Sequence, residues 1–290
     1  MKLLSLDTHY SQLQAGKSCV RNQTQRSRCE VCVQACPIDA ITLYQGKVHF
    51  DSAACITCGA CQFACPTGAV EGLPLPQRYY RDNRLVMPLS VTAPSVDELL
   101  MWHAQYQIRS VEMDLALRPD WVIAIAALNL KLKKLKQPLW TITPEPTAAI
   151  DKLRRRWLQI GNNKSSLSSV TPGWQMRRMF FADVSEYQLI LDQTQCFLCG
   201  ACARLCPESA ISLDNETMIL NHTRCNGCGG CEDICFSHAI HVAKNHEHTL
   251  TVLAVNESSC STCLRPFMTW SVKSKQCPVC QRHHYGMREA

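Results

Sequence analysis

The 290-residue chain carries 20 cysteines, 46% hydrophobic residues and a formal charge of +6. Length and hydrophobic content are those of an ordinary globular protein of two or three domains, which excludes a fibrous or low-complexity chain. That charge counts every cysteine as a neutral thiol, so it is weak evidence for a polyanionic partner; the cysteines themselves, in five tight groups with none between Cys65 and Cys196, are the informative feature.

Met1 to Tyr10 turns polar before an apolar leader of useful length can form and has no twin arginine. The cysteines are therefore expected in a reducing, cytoplasmic setting and not as disulfides. Cys19 comes first, then Cys29, Cys32 and Cys36, and then a complete Cys-x2-Cys-x2-Cys-x3-Cys run at Cys55, Cys58, Cys61 and Cys65. Pro37 and Pro66 follow the last cysteine of each group, where a fixed φ stops a helix. The tails Ala40-Ile41 and Ala69-Val70 are each predicted to enter a short strand.

From about Gln77 to Asp183 the chain is free of cysteine. Apolar periodicity predicts a strand over Leu85 to Val91, a helix over Val96 to Gln105 behind a Ser95 cap, and a strand over Arg109 to Asp114. An apolar helix capped by Asp120 and running to about Lys136, a strand over Leu139 to Ile142 and a basic helix over Thr147 to Ile160 complete a small α/β layer domain. It has no Gly-rich phosphate loop and no GxGxxG, so neither nucleotide nor flavin is assigned to it. Trp121 and Trp140 are expected in its core, Arg154-Arg155-Arg156 on a solvated face, and Gly161 to Ser169 reads as a linker. The longest apolar stretch, Trp121 to Leu130, contains Asn129 and is about half of the roughly 20 residues that a membrane-crossing helix needs.

Two further complete runs follow, Cys196/Cys199/Cys202/Cys206 with Pro207, and Cys225/Cys228/Cys231/Cys235 with Phe236 in the proline position. Their tails are Ala210-Ile211 and Ala239-Ile240. Cys36 and Cys65 are 29 residues apart, as are Cys206 and Cys235, and the pairs Cys36/Cys206, Cys55/Cys225 and Cys65/Cys235 are all separated by 170. The chain therefore contains a duplicated two-run module. Gly59, Gly200, Gly227 and Gly229 sit inside the runs, either as turn residues or to let N–H groups approach sulfur. The last group, Cys260-x2-Cys263 and Cys277-x2-Cys280, is a pair of knuckles suited to one tetrahedral metal, zinc by default, although a rubredoxin-like iron site uses the same ligands. His283 and His284, and His246 and His248 around Glu247, read as solvent-facing.

The runs resemble those of bacterial two-cluster ferredoxins, which implies 4Fe-4S cofactors and a cross-stitched ligation in which the fourth cysteine of each run serves the other cluster. The resemblance implies that Cys55, Cys58 and Cys61 join Cys36, and that Cys29 and Cys32 join Cys65. In the second module it implies that Cys196, Cys199 and Cys202 join Cys235, and Cys225, Cys228 and Cys231 join Cys206. One ligand is out of pattern: 170 residues before Cys196 stands Arg26, which cannot bind iron. Either the loop Val20 to Arg26 brings Cys19 round to complete the set with Cys29, Cys32 and Cys65, or that site holds a 3Fe-4S cluster. Five four-thiolate sites would bring the formal charge to roughly −4, so many basic residues are expected to balance metal centres.

The expected fold is α+β and multidomain: a first dicluster module over 1–76, the inserted α/β domain with its linker over 77–183, a second dicluster module over 184–245, and a zinc-ribbon-like knuckle pair over 246–290. Because cysteine closes every cluster site and no catalytic set stands out, the expected function is a non-enzymatic relay of single electrons to or from a partner oxidoreductase, through up to four 4Fe-4S clusters. The layout is also similar to that of four-cluster accessory proteins of molybdenum enzymes such as formate dehydrogenase. The alternatives are an assembly or maturation factor for a metalloenzyme and, ranked last, a nucleic-acid regulator using Lys273, Lys275, Arg282 and Arg288 of the ribbon. No small-molecule substrate and no membrane span are expected.

Overall fold

A computed structural model describes residues 12–144, 165–182, 184, 186–244 and 250–282. In chain order the first half runs β1 (Gln14–Ala15), α1 (Val20–Gln23), α2 (Val31–Gln34), β2 (Ile41–Tyr44), β3 (Lys47–Phe50), α3 (Ala60–Ala64), β4 (Val70–Glu71), β5 (Arg78–Arg81), β6 (Arg84–Leu85), α4 (Val96–Gln105), β7 (Ser110–Glu112), α5 (Pro119–Lys134), β8 (Thr141–Thr143), β9 (Ser166–Ser168) and α6 (Trp174–Phe180). The chain divides into two units. The first takes the residues up to Cys19 together with Glu30–Phe180, and the second takes Val20–Cys29 together with the chain from Phe181 onward.

Two patterns build the first unit. Around the cysteines, short helices alternate with two-stranded antiparallel ladders, β1 with β4 and β2 with β3. The cysteine-free stretch instead forms one five-stranded sheet in the order β8-β7-β6-β5-β9. β6, β7 and β8 are parallel, and β5 pairs antiparallel with both β6 and β9. Parallel neighbours need a crossover, which α4 and α5 supply. α4 is held at its start by the Ser95 hydroxyl, which accepts the Glu98 N–H at 3.2 Å. Its residues Leu99, Leu100 and Trp102 are fully buried, and α5 buries Trp121, Ile125, Leu128 and Leu132 at helical spacing.

The structure departs from the sequence pattern at three places. The first strand ends at Leu85, because Pro88 has no N–H for the ladder. Pro119 occupies the first turn of α5, which leaves Asp120 inside the helix, where its carboxylate accepts the Ala93 N–H at 2.9 Å. Within the stretch read as linker, Ser166–Ser168 forms the edge strand β9, paired with Arg78–Tyr80. The basic helix expected over Thr147 to Ile160 lies outside the described residues.

A buried ion pair ties the sheet to α4. The Arg78 guanidinium forms two hydrogen bonds to Glu98, through Nε to Oε1 and through NH2 to Oε2 at 2.8 Å, donates to Ser90 Oγ at 2.8 Å, and stacks over Trp121. The two charged side chains are 7% and 1% exposed, so neither ion could stand there without the other.

The second unit continues with β10 (Gln188–Leu191), α7 (Ala201–Leu205), β11 (Ile211–Leu213), β12 (Thr217–Asn221), α8 (Gly230–Ile234), β13 (Ile240–Ala243), β14 (Leu250–Ala254), β15 (Asn256–Ser259), β16 (Pro266–Thr269) and α9 (Pro278–Arg282). β10 pairs with β13, β12 lies between β11 and β14, and β15–β16 is a separate hairpin. Its core joins Leu189, Leu198, Ile211, Met218, Leu220 and Ile240 to the cysteines Cys225 and Cys231. Within this unit the N-terminal segment is anchored by Arg28, whose backbone N–H and Nε reach the two Asp233 carboxylate oxygens at 3.0 and 2.9 Å.

Candidate iron–sulfur and metal sites

Each complete run folds in the same way. Two residues after the first cysteine, the backbone is left-handed, at Thr57 (φ 52°), Leu198 (54°) and Gly227 (73°). It is left-handed again at Gly59, Gly200 and Gly229, the residues that precede α3, α7 and α8. The helix carries the third cysteine on its first turn and ends at the fourth, which is extended in all three runs. With Phe236 in the proline position, Cys235 still has φ −77°, close to −67° at Cys206, and the Phe236 ring stacks on Phe197 at 5.7 Å. Gly227 is required sterically as well, because a Cβ there would lie 2.3 Å from the Tyr187 ring.

The tails do more than lead into strands. In all four groups the alanine four residues after the last cysteine points its N–H at that sulfur: Ala40 to Cys36 at 3.3 Å, Ala69 to Cys65 at 3.2 Å, Ala210 to Cys206 at 3.2 Å and Ala239 to Cys235 at 3.3 Å. These alanines are at most 4% exposed. Their carbonyls accept from the residue that opens another loop, Asp51 N to Ala40 O, Asn221 N to Ala210 O and Asp192 N to Ala239 O, each at 2.8 Å. Those residues stand four before the first cysteine of each complete run, a spacing visible in the sequence that was not read as part of the site.

The same framework locates Cys19. Gly16 N donates to Ala69 O at 2.7 Å, the place taken elsewhere by Asp51, Asn221 and Asp192, and Cys19 N bonds back to Gly16 O at 3.1 Å. β1 pairs with β4 just as β10 pairs with β13. Cys19 follows Gly16 by three residues, where the first cysteine of each complete run follows its counterpart by four, and the residues between Cys19 and Cys29 include the short helix α1.

Three sets of four cysteines each line one cavity. Cys36, Cys55, Cys58 and Cys61 line one with Leu13, Ile41, Phe50 and Leu73. Cys196, Cys199, Cys202 and Cys235 line a second, and Cys206, Cys225, Cys228 and Cys231 a third. Each set thus combines three cysteines of one run with the fourth of its neighbour. The shared four-cysteine lining and the largely apolar remainder of the walls suit one kind of compact, thiolate-held group. Burial first, and neighbouring thiols next, push Cys61 up to about 12 and Cys202 to about 11, and Cys231 is also raised. Such thiols are unstable as bare anions and need a cation to become ligands. Cys19 and Cys65 belong to the first unit with Cys32, whereas Cys29 closes the segment assigned to the second.

At the C-terminal end the sulfurs of Cys260, Cys263, Cys277 and Cys280 all lie within 4.8 Å of one another. A tetrahedral metal with bonds of about 2.3 Å to sulfur wants sulfurs roughly 3.8 Å apart, so this set needs only slight contraction. Cys277 N–H donates to Cys260 Sγ at 3.3 Å, and bonds of this kind hold Cys260 down at about 6. His246, His248, His283 and His284 lie outside the described residues.

Comparison with known proteins bears on these sites. Residues 25–69 match the model of a 4Fe-4S dicluster domain, and residues 188–236 match a second 4Fe-4S dicluster domain model. Formate hydrogenlyase subunit 2 of Escherichia coli (strain K12) is 31% identical over 100 residues, 34% of this chain and 41% of that protein. Putative electron transport protein YsaA of the same organism is 35% identical over 71 residues, 23% of this chain and 45% of the relative. Ferredoxin 7Fe of Hydrogenibacillus schlegelii is 41% identical over 39 residues, 13% of this chain and 50% of the relative. The chain therefore spans at most half the length of these relatives. Its two matched segments, each with paired cysteine runs, make it a duplicated ferredoxin-like iron–sulfur protein that uses 4Fe-4S clusters.

Proposed function

We propose that the protein is an electron carrier or redox-complex subunit that passes single electrons to or from a partner oxidoreductase and performs no substrate chemistry of its own. One observation carries this reading. In each of the three cavities four cysteines are the only metal-ligating side chains, and the remaining walls are almost wholly apolar. A cluster held there has no open coordination position for substrate, and closed clusters exchange electrons. When bound, the clusters would supply one-electron oxidation and reduction; the protein's residues hold the sulfurs, exclude water and place N–H groups against the fourth cysteine of each run.

The ligand sets proposed are Cys36/Cys55/Cys58/Cys61, Cys196/Cys199/Cys202/Cys235 and Cys206/Cys225/Cys228/Cys231. The set Cys19/Cys29/Cys32/Cys65 rests on the sequence pattern and on the equivalence of Gly16 with Asp51, and a 3Fe-4S cluster is its alternative. Zinc is proposed for Cys260/Cys263/Cys277/Cys280, in a ribbon-like knuckle pair, and the five-stranded α/β sheet is proposed as an inserted scaffold domain. Two of the relatives, a putative electron transport protein and a subunit of formate hydrogenlyase, favour a redox complex as the partner. No described helix is long and apolar enough to cross a membrane.

Voltammetry of the anaerobically purified full chain tests the proposal. It should show reversible one-electron waves that persist without added substrate. An assembly factor would instead be required for a partner enzyme's activation while its clusters remained redox-silent during that enzyme's turnover, and that outcome would replace the electron-transfer reading.

A further inference from the structure

Within the second unit the four-cysteine knuckle pair is joined to a cluster loop by one side chain. Trp270 Nε1 donates to the Cys196 carbonyl at 3.0 Å, and Trp270 and Met268 pack on the core that contains Leu198, Ile211 and Met218. Trp270 stands near the middle of the segment that separates Cys263 from Cys277, so the two knuckles hold its two ends. The hold is built from several bonds. The hairpin β15–β16 pairs Asn256 with Thr269 and Ser259 with Pro266, and Cys260 N closes its tip on Arg265 O at 3.0 Å. The second knuckle is strapped to the first by Ser261 N to Lys275 O at 2.8 Å, Cys277 N to Cys260 Sγ at 3.3 Å and Ser258 Oγ to Ser274 O at 3.1 Å. Asn256 Nδ2 also reaches the Trp270 carbonyl, at 3.5 Å.

On the cluster side, Cys196 opens the loop of Phe197, Leu198 and the exposed Cys199. Leu198 N lies 3.5 Å from Cys196 Sγ, so the carbonyl fixed by Trp270 belongs to the peptide next to an N–H that faces a ligand sulfur. Trp270 itself does not line the cavity. It sets the loop from behind, and the walls of the other two cavities have no tryptophan.

Resting on the electron-transfer reading above, we infer that the C-terminal metal site is a clamp for the cluster of Cys196, Cys199, Cys202 and Cys235: metal in the knuckles holds Trp270, and Trp270 fixes the Cys196 loop. Metal occupancy at one site is thereby coupled to the potential and the survival of one cluster out of four. Hydrogen bonds near the sulfurs and access of water both set cluster potentials, so the coupling is local. Trp270 is a positioning residue, acting through Cys196.

The test uses the full chain, purified anaerobically, as wild type, Trp270→Phe and the double variant Cys263→Ser/Cys280→Ser. Each is titrated potentiometrically with EPR detection, the signal of interest being assigned by its change in Cys199→Ser. Trp270→Phe keeps an aromatic side chain but removes the indole N–H donor with the ring that bears it, so the midpoint of that one signal should fall. The double variant should shift the same signal and speed its bleaching by air, with the other signals unchanged. Should a variant fail to fold, wild-type protein stripped of knuckle metal by a chelator and then reloaded with zinc must lose and regain the native midpoint. Midpoints that ignore both Trp270→Phe and metal removal overturn the inference, as does an equal shift of every signal. Iron-free but folded material would overturn the cluster reading itself.

Discussion

The cross-run grouping of cysteines makes a prediction that separates two ways of holding the same iron. Cys235 belongs by sequence to the run of Cys225, Cys228 and Cys231, yet it lines the cavity of Cys196, Cys199 and Cys202. The thiols record the same neighbourhoods: Cys202 is raised to about 11 first by burial and then by Cys196, with Cys199 and Cys235 contributing, whereas Cys231 is raised by burial and then by Cys225 and Cys228. Cys235→Ser should therefore damage the cluster of the earlier run, at a cost of up to about four irons per chain. Cys199→Ser should damage the same cluster, so the double variant Cys199→Ser/Cys235→Ser should lose no more iron than either single variant. Cys228→Ser damages a different cluster, and its loss should add to that of Cys235→Ser, up to about eight irons in all. Iron and sulfide analysis with EPR on the two double variants reads the result. Additive loss in the Cys199/Cys235 pair together with non-additive loss in the Cys228/Cys235 pair would place each cluster within one run and refute the reasoning.

Three further outcomes are expected. Ala210→Pro removes the N–H that reaches Cys206 Sγ at 3.2 Å and should lower the midpoint of the cluster that Cys206 serves, read by EPR titration. Arg78→Met leaves Glu98 buried and unpaired, and denaturant unfolding of the first unit should show a loss of about 3–5 kcal/mol. His103 is held down at about 4, by burial first and the Arg109 charge second, so it is neutral in the fold and charges more readily when unfolded at 6.5. Its contribution is intact above pH 6.5 and is lost as pH falls towards 4, amounting to at most about 3 kcal/mol. His103→Gln should flatten that part of the stability–pH curve.

The cysteine chemistry was legible because the chain writes it in spacing. The 29- and 170-residue offsets state the duplication, and the alanine tails begin β2, β4, β11 and β13 almost to the residue. α4 was legible for a similar reason, since Ser95 with Glu98 three positions later is a local signal. Longer-range events were not. Nothing near Glu98 announces that its carboxylate turns away from the helix end to meet Arg78, twenty residues earlier. Ser166–Ser168 reads as linker because an edge strand can be polar when only its backbone is used. The role of the alanine N–H groups is hidden because any residue except proline offers one, and Trp270 carries no motif that ties it to Cys196.

The most direct measurement is metal and sulfide analysis of anaerobically isolated full-length protein, combined with an EPR-monitored reductive titration. The account predicts about 16 irons with matching acid-labile sulfide and one zinc, or about 15 irons and a 3Fe signal when Cys19 is not a ligand, each cluster accepting one electron reversibly. Colourless, iron-poor protein that is nevertheless fully folded would contradict it.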